Sequence, residues 1–122
     1  MFFIDQQSRI PVFEQIVRQA ESLVLAGVLK PEDKLPSIRE LTSALGINPN
    51  TIQKAYTELD RRGIIVSSSG RGCYVSKNVM QVLKARAEEK LPEFKASAIG
   101  LLRAGIGVQT LIDVINAASN EK

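Results

Sequence analysis

The chain has no histidine and no tryptophan, and its only cysteine is Cys73. These absences remove whole classes of chemistry. A zinc site built from the usual nitrogen and sulfur ligands has no ligand set. Ser-His-Asp and Cys-His catalysis have no base, and a disulfide framework needs cysteines in pairs. No apolar run approaches the roughly 20 residues of a bilayer-spanning helix, and the opening Met1-Phe2-Phe3-Ile4 meets Asp5 at once, too soon for a signal peptide. Gly70-Arg71-Gly72 is too short to be a nucleotide-binding loop. The carboxylates Glu88, Glu89 and Glu93 fall on a solvated helical face. The expectation is a cytoplasmic chain that is not an enzyme, with no cofactor, no metal and no membrane contact.

What is present is a normal globular composition, 44% hydrophobic and 24% charged, over 122 residues. That length allows one domain, or a small domain with an appendage. The net charge of +3 is compatible with a nucleic-acid partner without demanding one.

Apolar residues at Phe13, Ile16, Val17, Ala20, Leu23 and Val24 recur at helical spacing and predict a helix over 11–26, with Pro11 in its first turn and Gly27 ending it. A second helix starts at Ser37. Ser37 and Glu40 form an S-x-x-E capping box, in which each side chain satisfies a backbone N–H that the helix end leaves unpaired. Ile38, Leu41 and Leu45 make its buried stripe, and Gly46 stops it. Asn48 then reads as an N-cap with Pro49 at the first helical position. The third helix runs to about Arg62, with Ile52, Ala55, Tyr56 and Leu59 inward and Asn50, Gln53, Lys54 and Thr57 outward.

Helix, tight turn and polar-tipped helix make a helix-turn-helix, whose second helix enters the DNA major groove with its first turn nearest the bases. Asn and Gln can donate and accept together, so Asn50 and Gln53 can pair bidentately with adenine. Thr51 can hydrogen-bond or pack on a thymine methyl. Lys54 suits a phosphate. Asn48 is read as a cap before a base reader, and Ser37 as a cap whose neighbourhood also suits a phosphate. Arg39 sits near a helix N-terminus, where a cation opposes the helix dipole. A DNA phosphate or guanine would offset that; a salt bridge to Glu40 or Asp33 is the alternative.

Ile64–Val66 and Cys73–Val75 read as two strands joined by a small-residue loop, Ser67 to Gly72. A hairpin directly after a helix-turn-helix is a wing, and Ser69, Gly70 and Arg71 are its tip, with Arg71 suited to a minor groove or a phosphate. Cys73 reads as inert packing. From Val79 onward the period is helical again: a long helix with a kink at Pro92, a break at Gly105 and Gly107, and a short terminal helix that frays from Ser119. Its apolar positions include Leu83, Ala87, Leu91, Phe94, Leu101, Leu111, Ile112 and Ile115. Two amphipathic helices of about 45 residues together are below the size at which a core usually stands alone. A second copy of the chain would cover them symmetrically; folding back on their own winged helix is the alternative.

The fold class is therefore mainly α with a small β-hairpin. An N-terminal winged helix-turn-helix spans 1–77, and a C-terminal two-helix dimerisation segment spans 78–122. The function expected is a sequence-specific DNA-binding regulator, with a winged-helix protein–protein module as the competing reading. No polar constellation marks a small-molecule effector site, and an effector is left open as a partner.

Residues 9–77 strongly resemble the GntR superfamily of bacterial transcription regulators. The motifs that carry the resemblance are Pro-Val-Phe-Glu-Gln-Ile at 11–16, Leu-Pro-Ser-Ile-Arg-Glu-Leu at 35–41, Asn-Pro-Asn-Thr-Ile-Gln-Lys-Ala-Tyr at 48–56 and Arg-Gly-Cys-Tyr-Val at 71–75. The resemblance implies DNA contacts at Arg39, Asn48, Asn50, Thr51, Gln53 and the tip residues Ser69, Gly70 and Arg71. Many members carry Arg where this chain has Pro49, so a guanine-reading side chain is missing here. Cys73 stands where Thr is usual. The short segment after the wing is similar to the YtrA-like subfamily, which implies a homodimeric repressor of the kind often encoded beside ABC-transporter genes.

Overall fold

The second and third helices begin where the sequence supplies a side-chain partner for a free N–H group, whereas the first starts after Pro11 without one. A computed structural model describes residues 1–68 and 70–121. Its elements, in order, are α1 (Val12–Leu25), α2 (Ile38–Leu45), α3 (Pro49–Arg61), β1 (Ile65–Ser68), β2 (Gly72–Val75), α4 (Val79–Glu88), α5 (Leu91–Arg103) and α6 (Val108–Ser119). At α2 the capping box is complete: Ser37 Oγ accepts from the Glu40 N–H at 3.0 Å, and Glu40 Oε1 accepts from the Ser37 N–H at 3.3 Å. The helix ends on Gly46 with φ of 66°, a left-handed conformation that glycine adopts without Cβ strain. That residue makes the turn into α3 tight. Asn48 then caps α3 by accepting the Asn50 N–H at 2.8 Å.

The chain divides into two units, Met1–Leu83 and Lys84–Lys122. In the first, Ile16, Val17, Ala20 and Val24 of α1, Leu41 of α2, and Ile52, Ala55, Tyr56 and Leu59 of α3 close one core with Ile65, Val75, Val79 and Leu83. Strands β1 and β2 pair antiparallel with Ile65 opposite Val75 and Val66 opposite Tyr74. Side chains alternate across a strand, so Ile65 and Val75 face the core while Val66, Ser68, Gly72 and Tyr74 share the outer face. The charged stretch 30–34 reads in the sequence as a turn, yet it does more than reverse the chain. Leu35 N–H donates to the Cys73 carbonyl at 2.9 Å and Val75 N–H to the Asp33 carbonyl at 2.8 Å. An isolated antiparallel bridge joins Lys34 to Tyr74, so the far edge of the hairpin is covered.

Two glutamines of α1 bind the N-terminal strand-like segment. Gln15 Oε1 accepts from the Asp5 N–H at 2.9 Å, and Gln15 Nε2 donates back to the Asp5 carbonyl at 3.1 Å. Gln19 repeats the pattern on Phe3, accepting its N–H at 3.0 Å and donating to its carbonyl at 2.7 Å. The match is geometric: four helical residues rise about 6 Å and two extended residues about 6.6 Å. Phe2 and Ile4 are thereby laid against the core.

α1 is also fastened to α3 through charge. Arg62, with its side chain 18% exposed, pairs with Glu14 at 3.6 Å, Glu21 at 2.8 Å and Glu58 at 2.6 Å. Arg61 pairs with Glu58 at 2.6 Å but is 71% exposed. Hydrogen bonds from Arg61 first and Arg62 second lower the Glu58 carboxyl from its ordinary 4.5 to about 2.

Three expectations are corrected. Residues 79–103 form two helices rather than one kinked helix, because Pro92 sits in the first turn of α5. A proline there starts a helix without losing a hydrogen bond. Three helices therefore follow the wing instead of two. Leu83, expected on the dimerisation stripe, is only 6% exposed and packs with Val79 in the core of the first unit. The strands also reach further into the loop than expected, β1 extending to Ser68 and β2 starting at Gly72; Ser69, expected at the tip, lies outside the described residues.

In the second unit, no residue of α5 or α6 is buried. Phe94, Ala98, Leu101 and Leu111 line an apolar cavity of about 150 Å³ between these helices. Among the described residues no helix is long and apolar enough to cross a membrane.

The ion-pair cluster makes a pH prediction. Because the folded-state value of Glu58 lies below its unfolded value, its contribution is present above about pH 4.5 and fades as pH falls toward about 2. Thermal unfolding from pH 6 to pH 2 should therefore show a loss in that window that Glu58→Gln reduces. Arg62→Ala should destabilise more than Arg61→Ala, since only Arg62 joins two helices. Equal effects of the two substitutions would contradict this account.

Candidate nucleic-acid interface

The buried face of α3 decides which of its side chains remain available. Ile52, Ala55 and Leu59 have no exposure and Tyr56 only 2%. The opposite face therefore leaves Asn50, Gln53, Lys54 and Thr57 exposed, as the helical period requires, while Thr51 is half-buried. Tyr56 is more than core filling. Its hydroxyl donates to the Pro36 carbonyl at 2.5 Å. Burial, with the nearby Cys73 and Glu40, pushes its phenol far above the ordinary range, so it stays a donor. Pro36 immediately precedes the cap of α2, so this bond ties α3 to the start of α2.

The expected contact residues divide by what their atoms already do. Ser37 Oγ and Asn48 Oδ1 are taken by backbone N–H groups. This agrees with the capping role and leaves the Asn48 side-chain amide to donate. Gln53 Nε2 donates to Thr57 Oγ1 at 3.3 Å one turn on. Lys54, expected to hold a phosphate, lies over the Phe13 ring with its Nζ 4.1 Å from the centroid. Such a contact contributes about 0.5–1 kcal/mol at an exposed site. The Asn50 side chain and Arg39 have no partner among the described residues.

The position of Arg39 has an electrostatic reason. The two acids that would neutralise it are engaged elsewhere. Glu40 accepts from Ser37 N–H, and Asp33 accepts from Lys30 N–H at 2.8 Å. A guanidinium is thus left exposed beside a helix N-terminus, where the dipole disfavours it. An anion outside the chain would compensate both costs.

At the wing, Arg71 N–H donates to the Ser68 carbonyl at 2.9 Å and its own carbonyl accepts from the Tyr74 hydroxyl at 3.1 Å. Both bonds engage only the Arg71 backbone, and its side chain stays exposed together with Gly70. Among the described residues no group of His, Cys, Asp and Glu is arranged to hold a metal ion.

Sequence reasoning missed the Tyr56 bond to Pro36, the Lys54 seat on Phe13 and the Arg62 hub. Arg62 and Glu58 stand four apart, a spacing that signals their own pair. The reach of Arg62 to Glu14 and Glu21 depends on how α1 crosses α3, which no local pattern shows.

A capped helix, a tight glycine turn, a second helix with an exposed polar first turn and a hairpin with a basic tip define the class: a winged helix-turn-helix. The model of bacterial regulatory proteins of the gntR family matches residues 13–75. The chain is 42% identical to the HTH-type transcriptional repressor YtrA of Bacillus subtilis (strain 168), over 98% of this chain and 92% of that protein. A transcriptional regulator from Oenococcus oeni superposes with a TM-score of 0.75 at 27% identity, covering 96% of this chain and 98% of the other. AraR(DBD), solved in complex with operator ORX1, superposes with a TM-score of 0.58 at 26% identity, covering 62% of this chain and 96% of the other.

The chain belongs to the gntR family of bacterial regulatory proteins.

The Tyr56 bond is open to a direct test. Tyr56→Phe removes one hydrogen bond and leaves the Pro36 carbonyl without its partner, at a cost of about 1–2 kcal/mol. Urea unfolding should show that loss with an unchanged m-value. A loss below a few tenths of a kcal/mol would mean the bond does not hold the two helices.

Proposed function

We propose that the chain is a dimeric, sequence-specific DNA-binding repressor that acts in the cytoplasm on a pseudo-palindromic operator, with a transporter operon as its expected target. One observation carries the reading: the first turn of α3 is exposed and polar, and in the first turn of its partner helix α2 stands Arg39, which has no acid paired with it among the described residues. Asn50 is the first base reader, with a side-chain amide free to meet adenine N6 and N7. Gln53 reads next, after exchanging its Thr57 bond. Arg39 binds a phosphate or guanine, and the wing tip at Gly70 and Arg71 follows the adjacent backbone or minor groove. The kinship with AraR(DBD), a protein solved on its operator, supports this assignment.

Dimerisation is argued from α5 and α6. Their apolar side chains are open, with Phe94 57% exposed, Ile112 42% and Ile115 47%. A helical pair this small gains too little from its own burial to persist alone, and a second copy supplies a symmetric cover. Leu91, Leu101 and Leu111 join that surface, with Ala87 at its margin. The winged-helix domain reads one half-site and this segment sets the distance to the other. A protein–protein module is the weaker reading, because it gives the exposed Asn50 and Gln53 nothing to do.

Hydroxyl-radical footprinting of the DNA upstream of the protein's own gene tests the proposal. Two protected half-sites about one helical turn apart, roughly 34 Å, are expected. Arg39→Ala with Asn50→Ala should abolish protection while light scattering still reports a dimer. Ile112→Glu with Ile115→Glu should give a monomer that protects weakly. DNA binding by the first double variant at wild-type strength would overturn the site assignment, and a monomeric wild type would overturn the dimer.

A further inference from the structure

The outer face of the wing carries a cation that the recognition surface described above does not use. Lys34 pairs with Tyr74 in an antiparallel bridge, so its side chain shares the face of Tyr74 and Gly72. Its stem runs from the Tyr74 row toward the tip. A Cβ built on Gly72 would lie only 3.2 Å from Lys34 Cε, and Gly72 has φ of 98°. The missing side chain at Gly72 therefore leaves the room that the end of the Lys34 stem occupies. Its Cε thus stands beside Gly72, the first residue of β2, two positions from Gly70 and next in sequence to Arg71.

The acids around this cation are engaged. Glu32 pairs with Lys77 at 3.6 Å, and Asp33 accepts from Lys30 N–H at 2.8 Å. Lys34 itself is exposed and makes no ion pair among the described residues. A lysine whose stem rests against Gly72 has less rotamer freedom to lose on binding than one in open solvent. As a point charge with three rotatable donors it suits a phosphate better than a base edge.

We propose that Lys34 is a DNA-backbone contact that holds a phosphate of its own beside the wing, separate from any that Arg71 meets, its reach set by the absence of a side chain at Gly72. This rests on the DNA-binding reading above and adds a residue to it. A contact of this kind contributes affinity without sequence preference. Neutralising one phosphate adds about 0.9 to the salt slope, which corresponds to about fivefold in affinity at 0.15 M salt.

Fluorescence anisotropy with an operator duplex and a scrambled duplex, each across a salt series, tests the proposal. Lys34→Met should bind both duplexes about fivefold more weakly at 0.15 M salt, with the slope reduced by about 0.9. Lys34→Arg should restore the slope. Lys95→Met on α5 removes the same charge elsewhere and should leave the slope unchanged. A wild-type slope for Lys34→Met, or an equal reduction for Lys95→Met, would overturn the Lys34 assignment while leaving the DNA-binding reading in place. A wild type that binds neither duplex would instead fail the parent reading, and this one with it.

Discussion

The hydrogen bond from the Tyr56 hydroxyl to the Pro36 carbonyl is the constraint on which the recognition surface depends. It joins the middle of α3 to the residue before the cap of α2, so the angle between the two helices is fixed at both ends. Gly46 fixes the turn on one side and the Tyr56 bond fixes the other. Around that bond, burial of Ile52, Ala55 and Leu59 decides which face of α3 is lost to the core. The exposed face, and with it Asn50 and Gln53, is what remains. Substrate-free geometry of this kind needs no rearrangement to present a helix tip to a groove, which lowers the ordering cost of binding.

The second fastening is electrostatic. Arg62 draws together Glu14, Glu21 and Glu58, and so holds α1 against α3 near the end opposite the recognition turn. Lys54 on Phe13 ties the same two helices by a weaker contact. The distribution of charge over this unit then has a simple form. Cations on the α1–α3 seam have partners, whereas Arg39 and Lys34, on the α2 and wing sides, have none among the described residues. Unpaired cations are what a polyanion can use, because each phosphate neutralised releases a counterion.

Much of the first unit was legible because its signals are local. Ser37 and Glu40 announce a helix start through their spacing alone, and both expected bonds form. Asn48 before Pro49 announces the next, and Ile52, Ala55, Tyr56 and Leu59 mark the buried face by period. What stayed hidden depends on tertiary placement. Gln15 and Gln19 look like surface residues of α1 until Asp5 and Phe3 are laid beside them. Lys34 reads as one charge in a turn until the Lys34–Tyr74 bridge turns it onto the wing. Leu83 continues the apolar period of the tail, yet the core of the first unit claims it, because a period does not say which partner a stripe faces. Pro92 misled for a related reason: one proline marks a kink or a new start, and the residues before it choose.

The account stands or falls on the proposed role of Asn50 as a base reader, since Pro49 beside it has no side-chain donor or acceptor with which to read a base. The most direct measurement is the affinity of wild type and Asn50→Ala for a set of operators in which each base pair is changed in turn. Wild type should discriminate an A·T pair in each half-site by about 1–3 kcal/mol. Asn50→Ala should lose that preference at that pair alone and keep the others. A specificity profile that is the same for both proteins would contradict the reading of α3 as the helix that meets the bases.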